Sequence, residues 1–249
     1  MNVKDLVVIV TGGGAGIGWA TARTFARGHA RVLITGRRIA RLEEIARAES
    51  NVAAFEADAG DPSGAQRTVD RALELWGRID VLVNNAGAGA PMALADTTPA
   101  HVNGIYAVNA IGPTLLAAAA LPHLVASRGT IINLSSTLAR KAVAGFSAYG
   151  ASKAALEHLT RCWALELAPK GVRVNAVAAG PVETDFLQER MGLSREEAEA
   201  VKAQERNLIP LGRRGVPDDV AHWIVALASR DAAWVTGQVF AIDGGFSLV

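Results

Sequence analysis

The sequence has little cysteine: Cys162 is the only one among its 249 residues, so no disulfide can form within the chain. A chain without disulfides is typical of a reducing compartment, and we expect a cytoplasmic protein. Cys162 lies in an apolar-periodic stretch with Leu159, Trp163 and Leu165. That setting favours a buried core thiol over a nucleophile.

An excess of charge of one sign is also lacking. The 25 Lys and Arg residues nearly balance the 24 Asp and Glu residues, and the formal net charge is +1. This balance gives no reason to expect nucleic acid or an anionic membrane as a partner. The longest apolar run, residues 115–121, is too short to span a bilayer, and the first residues show no signal-peptide pattern. We therefore expect a soluble protein with no membrane association.

Histidine clusters are lacking as well, and with them a common signature of a metal site. The five histidines are scattered, with no spacing such as H-E-x-x-H. We expect ordinary surface or helix positions for them and no metal ion. They are His29, His101, His123, His158 and His222.

The sequence does contain an alternation of short apolar runs with helical patterns. The runs occupy residues 6–10, 31–35, 51–55, 80–84, 130–134, 172–177 and 238–242. The helical patterns occupy residues 17–30, 38–50, 62–75, 101–126, 149–168 and 217–229. Several runs are continuously apolar, as expected for strands buried on both faces of a parallel sheet. The alternation predicts an α/β fold, a single doubly wound Rossmann-type domain over residues 1–249. Its sheet would be seven-stranded and mainly parallel, with helices on both faces.

One segment, at about residues 183–214, interrupts this alternation between the sixth and seventh runs. It contains a charged helical patch at residues 195–202, and Gly and Pro bracket it at both ends. Long excursions at the carboxyl end of a strand often form substrate loops, and their ends can act as hinges. We predict a substrate lid, with a surface helix that has no ligand role as the alternative.

A glycine-rich stretch, residues 11–18, follows the first run and opens the first helical pattern. Its glycines are spaced Gly12-x-x-x-Gly16-x-Gly18, with Gly13 and Gly14 between them. Glycine allows a sharp turn and the close approach of a pyrophosphate, and a helix N-terminus supplies free N–H groups. The position between a strand and a helix favours a dinucleotide site over a plain turn.

The end of the second run indicates which dinucleotide binds. An NAD site usually has a carboxylate there for the ribose 2′-hydroxyl, but this chain has Thr35, Gly36, Arg37 and Arg38. Two guanidinium groups suit a 2′-phosphate instead, and cations at the start of a helix oppose its dipole. We therefore predict NADP, with NAD as the alternative if both arginines are ordinary surface charges.

A phenol and an ammonium group lie four residues apart in Tyr149-x-x-x-Lys153, at the start of a strongly helix-forming stretch. In a helix both side chains project from one face and lie close enough to interact. A lysine charge beside a phenol lowers the pKa of the phenol, and such a phenol can act as a general acid or base. On spacing alone, a surface Tyr and a solvated Lys would be the simpler interpretation.

In order along the chain, these motifs resemble those of the short-chain dehydrogenase/reductase family, in its single-domain form, and the resemblance runs the whole length. The chain is similar to the family's 3-oxoacyl-carrier-protein reductase-like ketoreductases. Residues 11–18 match the T-G-x-x-x-G-x-G loop, residues 84–87 the N-N-A-G motif, and residues 149–153 the Y-x-x-x-K motif. Ser136 lies thirteen residues before Tyr149, as the family pattern requires. The remaining matches are Asn109, Gly180, Pro181, Thr184 and the D-G-G at residues 243–245.

Two positions depart from the family pattern. Ala179 stands where many members have a proline, and Ala15 stands where NADP-preferring relatives often have a basic residue. The prediction of NADP therefore depends on Arg37 and Arg38.

The resemblance implies hydride transfer between NADP(H) and a ketone or secondary alcohol. Tyr149 would give or take the proton on the substrate oxygen, and Lys153 would lower the pKa of Tyr149 and bind the nicotinamide ribose. Ser136 would hydrogen-bond the substrate oxygen. Asn109 would hold a water that links Lys153 to solvent. Ser136 as a strand end and Asn109 as a helix cap or kink are the simpler alternatives.

The resemblance also implies the residues of the cofactor site. Asp58 would bond the adenine, and Thr184 would contact the nicotinamide amide. The full expected set is Gly12, Gly14, Gly16, Ile17, Gly18, Arg37, Arg38, Asp58, Ala59, Asn85, Ala86, Gly87, Tyr149, Lys153, Pro181, Val182 and Thr184. A turn-forming role for Asp58 and an N-cap role for Thr184 stay open.

The substrate pocket is expected from residues 88–95, 137–146 and 182–207, with a mainly apolar lining. The lining side chains would be Leu138, Val143, Phe146, Phe186, Leu187 and Met191. Arg140 and Lys141 would attract an anionic group, such as a carboxylate or the phosphopantetheine of a carrier-bound acyl chain, or are simply solvated.

Other functions of the same fold stay open. They are a nucleotide-binding sensor without chemistry, and an enzyme for dehydration or epimerisation. Members of the family are commonly tetramers built through their long helices, so the resemblance also implies a homotetramer.

Overall fold

The computed structural model describes residues 1–189 and 191–249. Its centre is a seven-stranded sheet with the order β3-β2-β1-β4-β5-β6-β7. The strands are β1 (Val7–Thr11), β2 (Arg31–Gly36), β3 (Val52–Glu56), β4 (Val81–Asn84), β5 (Thr130–Ser136), β6 (Arg173–Ala179) and β7 (Val239–Ile242). Every pairing between these strands is parallel. The predicted doubly wound α/β fold is therefore confirmed, with a sheet that is parallel throughout rather than mainly parallel.

Helices cover both faces of the sheet. In the part of the chain that the structure describes they are α1 (Gly16–Arg27), α2 (Ile39–Ala48), α3 (Pro62–Trp76), α4 (Pro99–Tyr106), α5 (Gly112–Ser127), α6 (Ser147–Leu167), α7 (Phe186–Glu189), α8 (Arg195–Leu208) and α9 (Pro217–Ala228). Each helical pattern in the sequence corresponds to an observed helix or helical run, with ends within three residues of those expected.

The continuous apolar runs form strands because both faces of the sheet are covered. All residues of β1 and of β4 are buried. On one face, Val8 and Val10 of β1 pack in a core with Phe25 of α1 and Ile224 of α9. On the other face, Ile9 packs in a second core with residues of α3 and α5. The two cores hold β1 from both sides and fix the loop that follows it.

The strand order reverses beside β1, since β2 and β3 lie on one side of it and β4 and β5 on the other. In doubly wound sheets, ligands bind outside the carboxyl ends of the strands at such a reversal. The glycine-rich loop begins at the end of β1, and the N-N-A-G motif begins at the end of β4. The topology therefore brings both motifs to one crevice.

Helices α4 and α5 form one helical run, Pro99–Ser127, because a π-helical turn at Ala107–Ile111 joins them. This run of 29 residues is long and apolar enough to cross a bilayer, although the sequence suggested no such span. One such helix is weak evidence for a membrane span, because the core helices of soluble proteins pass the same test. Here Leu116, Ala120 and Leu124 of α5 are buried in the second core.

Cys162 is exposed on α6, so the expectation of a buried core thiol is wrong. The buried side chains of α6 include Leu156, Thr160 and Ala164, which recur at every fourth residue. With about 3.6 residues per turn, these residues share one face of the helix. Cys162 and the strongly exposed Leu165 lie on the outer face.

The segment predicted as a lid contains α7 and α8, and Arg190 within it lies outside the described residues. Helix α8 begins with a capping box, in which Ser194 Oγ accepts the N–H of Glu197 at 3.2 Å and the Glu197 carboxylate accepts the N–H of Ser194 at 2.8 Å. Ala198 is the one buried residue of α8. Apolar burial therefore contributes little to holding α8 on the protein.

Candidate active site

The glycine-rich loop lines one wall of a cleft at the carboxyl edge of the sheet. Gly12 and Gly16 have φ angles of 65° and 51°, in the left-handed region that favours glycine. A Cβ atom on Gly18 would clash with the carbonyl oxygen of Gly12, so the turn is tight. The N-cap of α1, Ala15, makes no side-chain cap bond, and the first turn has no acidic residue. The first N–H groups of α1 are therefore free to bind an anion.

Arginines line the end of the cleft beyond β2. Arg37 and Arg38 are there as expected, and Arg41 of α2 joins them. Arg38 Nη1 lies 2.8 Å from Oε1 of Glu189 in α7, and Arg41 Nη1 lies 2.7 Å from Oε2 of Glu44. The sequence contained a signal for Arg41, because it follows Arg38 by three residues on the same helix and so shares its face.

The stretch after β4 is bonded to the glycine-rich loop. Asn85 Nδ2 donates to the carbonyl oxygen of Thr11 at 2.8 Å. Thr11 Oγ1 accepts the N–H groups of Asn85 and Ala86, both at 3.0 Å. Asn85, Ala86 and Gly87 all line the cleft. Asn85 therefore fixes the shape of the site in addition to lining it.

Asn109 lies in the π-helical turn and is fully buried. Its Nδ2 donates to the carbonyl oxygen of Ala88 at 2.8 Å and to Ser152 Oγ at 2.9 Å, and its Oδ1 accepts the N–H of Ala88 at 2.9 Å. π-Turns are frequent at functional sites. A Cβ on Gly87 would lie 3.7 Å from both Asn109 Oδ1 and Lys153 Nζ. Asn109 therefore joins the loop after β4 to α6 beside Lys153.

Ser136 ends β5 and lines the cleft. Its Oγ accepts the N–H of Leu138 at 3.2 Å, where a 3-10 turn begins. The hydroxyl hydrogen is left for a second partner, and Ser136 lies within hydrogen-bonding reach of Tyr149. Ser136 therefore ends the strand and also lines the cleft beside Tyr149, at the end where the sequence predicts the reaction (the reaction end).

Tyr149 and Lys153 lie in the first two turns of α6, and both are buried. Burial raises the pKa of the Tyr149 phenol, and the hydrogen bond with Ser136 offsets only part of this. Burial also lowers the pKa of Lys153 from 10.5 to about 8. The Lys153 ammonium group donates to the carbonyl oxygen of Leu134 at 2.7 Å.

The pKa of Tyr149 thus moves in the direction opposite to the one expected from its spacing to Lys153. The phenolate is the charged form, and removing it from water costs more than the hydrogen bond with Ser136 returns. Burial also disfavours the charged form of Lys153. Its ammonium group donates to the carbonyl oxygen of Leu134. Sequence spacing predicted that both side chains share one face of α6 but carried no information on desolvation.

Two expected cofactor contacts also have local structural roles. Asp58 Oδ1 accepts the N–H of Gly60 at 2.9 Å, which forms a turn. Thr184 Oγ1 accepts the N–H of Phe186 at 3.4 Å at the start of α7. Both residues nevertheless line the cleft. A Cβ on Gly16 would lie 3.1 Å from Thr184 Cγ2, so the loop after β6 closes against the glycine-rich loop.

One cleft of about 630 Å³ unites these side chains, a volume typical of small-molecule sites. All seventeen residues expected to bind the cofactor line it, from Gly12 to Thr184. Ser136 lines it as well, and Asn109 lies buried behind Gly87 of the lining. The fold therefore assembles the whole set in one place.

The end of the cleft where the sequence predicts the substrate (the substrate end) is mainly apolar. Leu138, Phe186, Leu187 and Met191 line it as expected, together with Phe246, which the sequence did not indicate. The ring of Phe186 lies 6.4 Å from that of Tyr149, measured between ring centroids. The two other side chains expected there do not belong to the lining. They are Val143, which is exposed, and Phe146.

Arg140 and Lys141 have partners inside the protein rather than in the cleft. Arg140 Nε lies 3.1 Å from the buried carboxylate of Glu157. Lys141 Nζ donates to the carbonyl oxygens of Phe246, at 3.2 Å, and Val249, and it lies 4.6 Å from the centre of the Phe246 ring. Neither cation belongs to the lining of the cleft among the described residues, so the structure gives no support for an anion site formed by them.

A buried arginine, Arg214, ties α8 to the loop after β6, and the sequence did not indicate it. Its side chain is 3 % exposed, and its Nη2 donates to the carbonyl oxygen of Val182 at 2.6 Å. Its Nε lies 3.3 Å from Oε1 of Glu183, and its Nη1 pairs with Glu205 of α8. The adjacent Arg213 pairs instead with Asp219. Only the fold distinguishes these two consecutive arginines.

Comparisons with known proteins show the family to which the chain belongs. A family model described as enoyl-(acyl carrier protein) reductase matches residues 12–247. The 3-oxoacyl-[acyl-carrier-protein] reductase of Thermotoga maritima is 34% identical over 250 residues, which cover 98% of this chain and 99% of that protein. The chain belongs to the short-chain dehydrogenase/reductase family. This oxidoreductase family acts on small molecules with nicotinamide cofactors.

Other members of the short-chain dehydrogenase/reductase family match as fully. The 2-(S)-hydroxypropyl-CoM dehydrogenase 3 of Xanthobacter autotrophicus is 34% identical over 253 residues, covering 100% of this chain and 99% of that protein. A solved short-chain dehydrogenase/reductase of unknown function from Caenorhabditis elegans, with cofactor, has a TM-score of 0.94 at 36% identity. The match covers 100% of this chain and 97% of the solved chain. The family resemblance read from the motifs is confirmed.

The residues of the cleft fit a nicotinamide dinucleotide. The uncapped N-terminus of α1, twelve residues long, suits a pyrophosphate. The glycines keep side chains out of the space beside it. Further along the same cleft, the buried ammonium group of Lys153 provides a donor for ribose hydroxyls.

Proposed function

We propose that this protein transfers a hydride between NADP(H) and a ketone or secondary alcohol, with Tyr149 as the general acid and base. One observation carries the proposal: a single cleft has Ser136, Tyr149 and Lys153 at one end and Arg37 and Arg38 at the other. The 3-oxoacyl-[acyl-carrier-protein] reductase of Thermotoga maritima and the 2-(S)-hydroxypropyl-CoM dehydrogenase 3 of Xanthobacter autotrophicus support a carbonyl or alcohol as the reacting group.

In this mechanism the cofactor supplies the hydride chemistry, and the chain handles the proton. Tyr149 donates a proton to the substrate oxygen during reduction and accepts it during oxidation. The raised pKa of Tyr149 keeps the phenol protonated at neutral pH, which is the form that reduction needs. Ser136 donates a hydrogen bond to the same oxygen as negative charge develops on it. This protonation state favours the reductive direction.

Lys153 and Asn109 support the proton transfer. The ammonium group of Lys153 stabilises the Tyr149 side chain after it has given up its proton, and it also donates to the ribose hydroxyls. Because the pKa of Lys153 is about 8, this charge is mostly present at neutral pH and is lost in alkali. Asn109 holds the loop after β4 in register with α6. In this proposal a water held by Asn109 beside Lys153 links the lysine to solvent.

NAD is the alternative cofactor. Ala15 favours NAD, because it stands where NADP-preferring relatives often have a basic residue. Arg37, Arg38 and Arg41 at the far end of the cleft favour NADP. A non-catalytic nucleotide sensor is a weaker candidate, because Asn109, Ser136, Tyr149 and Lys153 are all present at the cleft in compatible positions. A carrier-bound acyl chain as substrate is supported by the Thermotoga maritima relative rather than by Arg140 and Lys141.

We also propose a homotetramer in the cytoplasm. Support for the assembly comes from exposed apolar side chains on long helices, such as Leu165 of α6 and Ile111 between α4 and α5. The proposal of a cytoplasmic location is supported by the single cysteine, because a chain without disulfides is typical of a reducing compartment.

The proposal is tested by the variant Tyr149→Phe, assayed with NADPH on a panel of aliphatic and aromatic ketones. We expect kcat to fall by about 10²- to 10⁴-fold, the usual contribution of a general acid, while the Kd for NADPH stays unchanged. Tyr106→Phe is the matched control, because Tyr106 is the one other tyrosine of the chain. If Tyr149→Phe keeps more than a few per cent of kcat, Tyr149 is not the acid. If the wild-type protein binds NADPH but turns over no ketone, the sensor is the better assignment.

A further inference from the structure

An ion pair joins two residues that line the cleft at its arginine end. Arg38 is the N-cap of α2, and Glu189 is the last residue of α7. The two residues are 151 positions apart in the sequence, yet Arg38 Nη1 and Glu189 Oε1 lie 2.8 Å apart. Both residues line the cleft. A carboxylate from the predicted lid thus occupies one of the guanidinium groups proposed to bind a 2′-phosphate.

The pair is well placed to exchange partners. The side chains of Arg38 and Glu189 are 57% and 38% exposed, so solvent screens their attraction. Exposed pairs of this kind add little to stability. A phosphate carries more charge than a carboxylate and accepts bidentate hydrogen bonds from arginine. A ligand phosphate at this position would therefore displace Glu189 with little loss.

We propose that Glu189 is a specificity-determining residue whose carboxylate competes with the 2′-phosphate of the cofactor for Arg38. The proposal rests on the proposed function, in which Arg37 and Arg38 bind that phosphate. NADP must break the Arg38–Glu189 pair in order to bind, whereas NAD has no 2′-phosphate and leaves the pair in place. Glu189 therefore weakens the binding of NADP selectively and reduces the preference that the arginines create.

The competition also has a structural consequence for the substrate end. Glu189 belongs to α7, and the same short helix carries Phe186 and Leu187, which line the substrate end of the cleft. Phe186 packs beside Tyr149. Release of Glu189 by a 2′-phosphate frees the end of α7 from α2, so the identity of the cofactor is transmitted to the apolar wall beside Tyr149.

If the Arg38–Glu189 pair instead helped to hold the cofactor, removing the Glu189 carboxylate would change the affinity for NADPH in the opposite direction. If the Arg38–Glu189 pair closed over a bound cofactor as a clasp, removing the carboxylate would weaken the binding of both NADPH and NADH. If Glu189 competes, removing the carboxylate strengthens the binding of NADPH and leaves NADH nearly unchanged.

The test is isothermal titration calorimetry of NADPH and of NADH with wild type, Glu189→Gln and Glu196→Gln. Glu196 is the matched control, because it is an exposed lid carboxylate in the first turn of α8. For Glu189→Gln we expect NADPH to bind about two- to fivefold more tightly, the range that an exposed ion pair allows. Glu196→Gln should leave both affinities unchanged, and the gain of Glu189→Gln should shrink in high salt.

A double variant isolates the interaction. In an Arg38→Ala background, Glu189→Gln should leave the ratio of NADPH to NADH affinity unchanged, because the guanidinium group for which the two acids compete is gone. NADPH affinity that is unchanged or weaker in Glu189→Gln alone overturns the proposal. A wild-type protein that does not prefer NADPH over NADH overturns the NADP assignment itself, so the two failures are distinguishable.

Discussion

The two ends of the cleft differ in how they hold their charged and polar groups. At the reaction end, Asn109, Tyr149 and Lys153 are buried, and hydrogen bonds fix Asn109 and Lys153. At the other end, Arg37 and Arg38 are exposed, and among the described residues Arg38 pairs with the solvent-screened carboxylate of Glu189. The first end is desolvated and hydrogen-bonded, whereas the second is exposed to solvent.

This difference shows where each property of the site comes from. Burial shifts the pKa values of Tyr149 and Lys153 and makes every hydrogen bond at that end important for stability. Exposure leaves the arginine end with small, salt-dependent interactions. Under the proposed function, surface substitutions at this end would change cofactor preference and leave the chemistry intact.

The largest effect on stability is expected from Asn109→Ala. The substitution removes three hydrogen bonds and leaves the N–H and C=O groups of Ala88 without their partner. We expect the free energy of unfolding to fall by about 2–4 kcal/mol, from the usual penalty for such groups. Urea denaturation measures it. Asn103→Ala, at an exposed position of α4, is the control and should change stability by less than about 0.5 kcal/mol. Equal effects of the two variants would remove the contrast between buried and exposed groups.

A smaller effect of opposite sign is expected from Lys153→Met. Lys153 has a pKa of about 8 in the folded protein and an ordinary value of 10.5, so burying its charge destabilises the folded state at neutral pH. The penalty is fully present below pH 8 and disappears as the pH rises from 8 to 10.5. We expect Lys153→Met to raise the free energy of unfolding at pH 7 by about 2 kcal/mol. This is less than the free energy that corresponds to the lowered pKa of Lys153, because the hydrogen bond to Leu134 is lost. Turnover should be lost.

The pH dependence makes this prediction specific. The gain of Lys153→Met should shrink between pH 8 and 10.5 in urea denaturation at a series of pH values. Lys170→Met, at an exposed position after α6, should show no such dependence. A gain for Lys153→Met that does not change with pH would mean that packing rather than charge is responsible.

Much of the fold and of the site was predictable from the sequence, for identifiable reasons. Continuous apolar runs such as residues 6–10 and 130–134 indicate strands buried on both faces, and their alternation with helices fixes the topology. Glycines and the Tyr149 and Lys153 pair follow local spacing rules, so their position at the cleft could be predicted. The sequence predicted a mainly parallel sheet, and the structure pairs all seven strands in parallel.

Properties that depend on three-dimensional surroundings were not predictable. The pKa of Tyr149 depends on how completely the fold buries the phenol, and the exposure of Cys162 depends on which face of α6 meets the sheet. The Arg38–Glu189 and Arg214–Glu205 pairs join segments that are distant in sequence or separated by a loop. Spacing rules reach about one helical turn, and these contacts lie beyond that range.

The most direct test of whether both ends of the cleft serve one cofactor is a titration of the protein with NADPH and with NADH, followed by tryptophan fluorescence. It compares wild type with the double variant Arg37→Ala/Arg38→Ala and with Arg47→Ala, an exposed arginine in the last turn of α2. We predict that wild type and Arg47→Ala prefer NADPH, and that the double variant loses about tenfold or more in NADPH affinity with little change for NADH. Equal or tighter NADH binding by the wild type would contradict the NADP assignment and make both arginines ordinary surface charges.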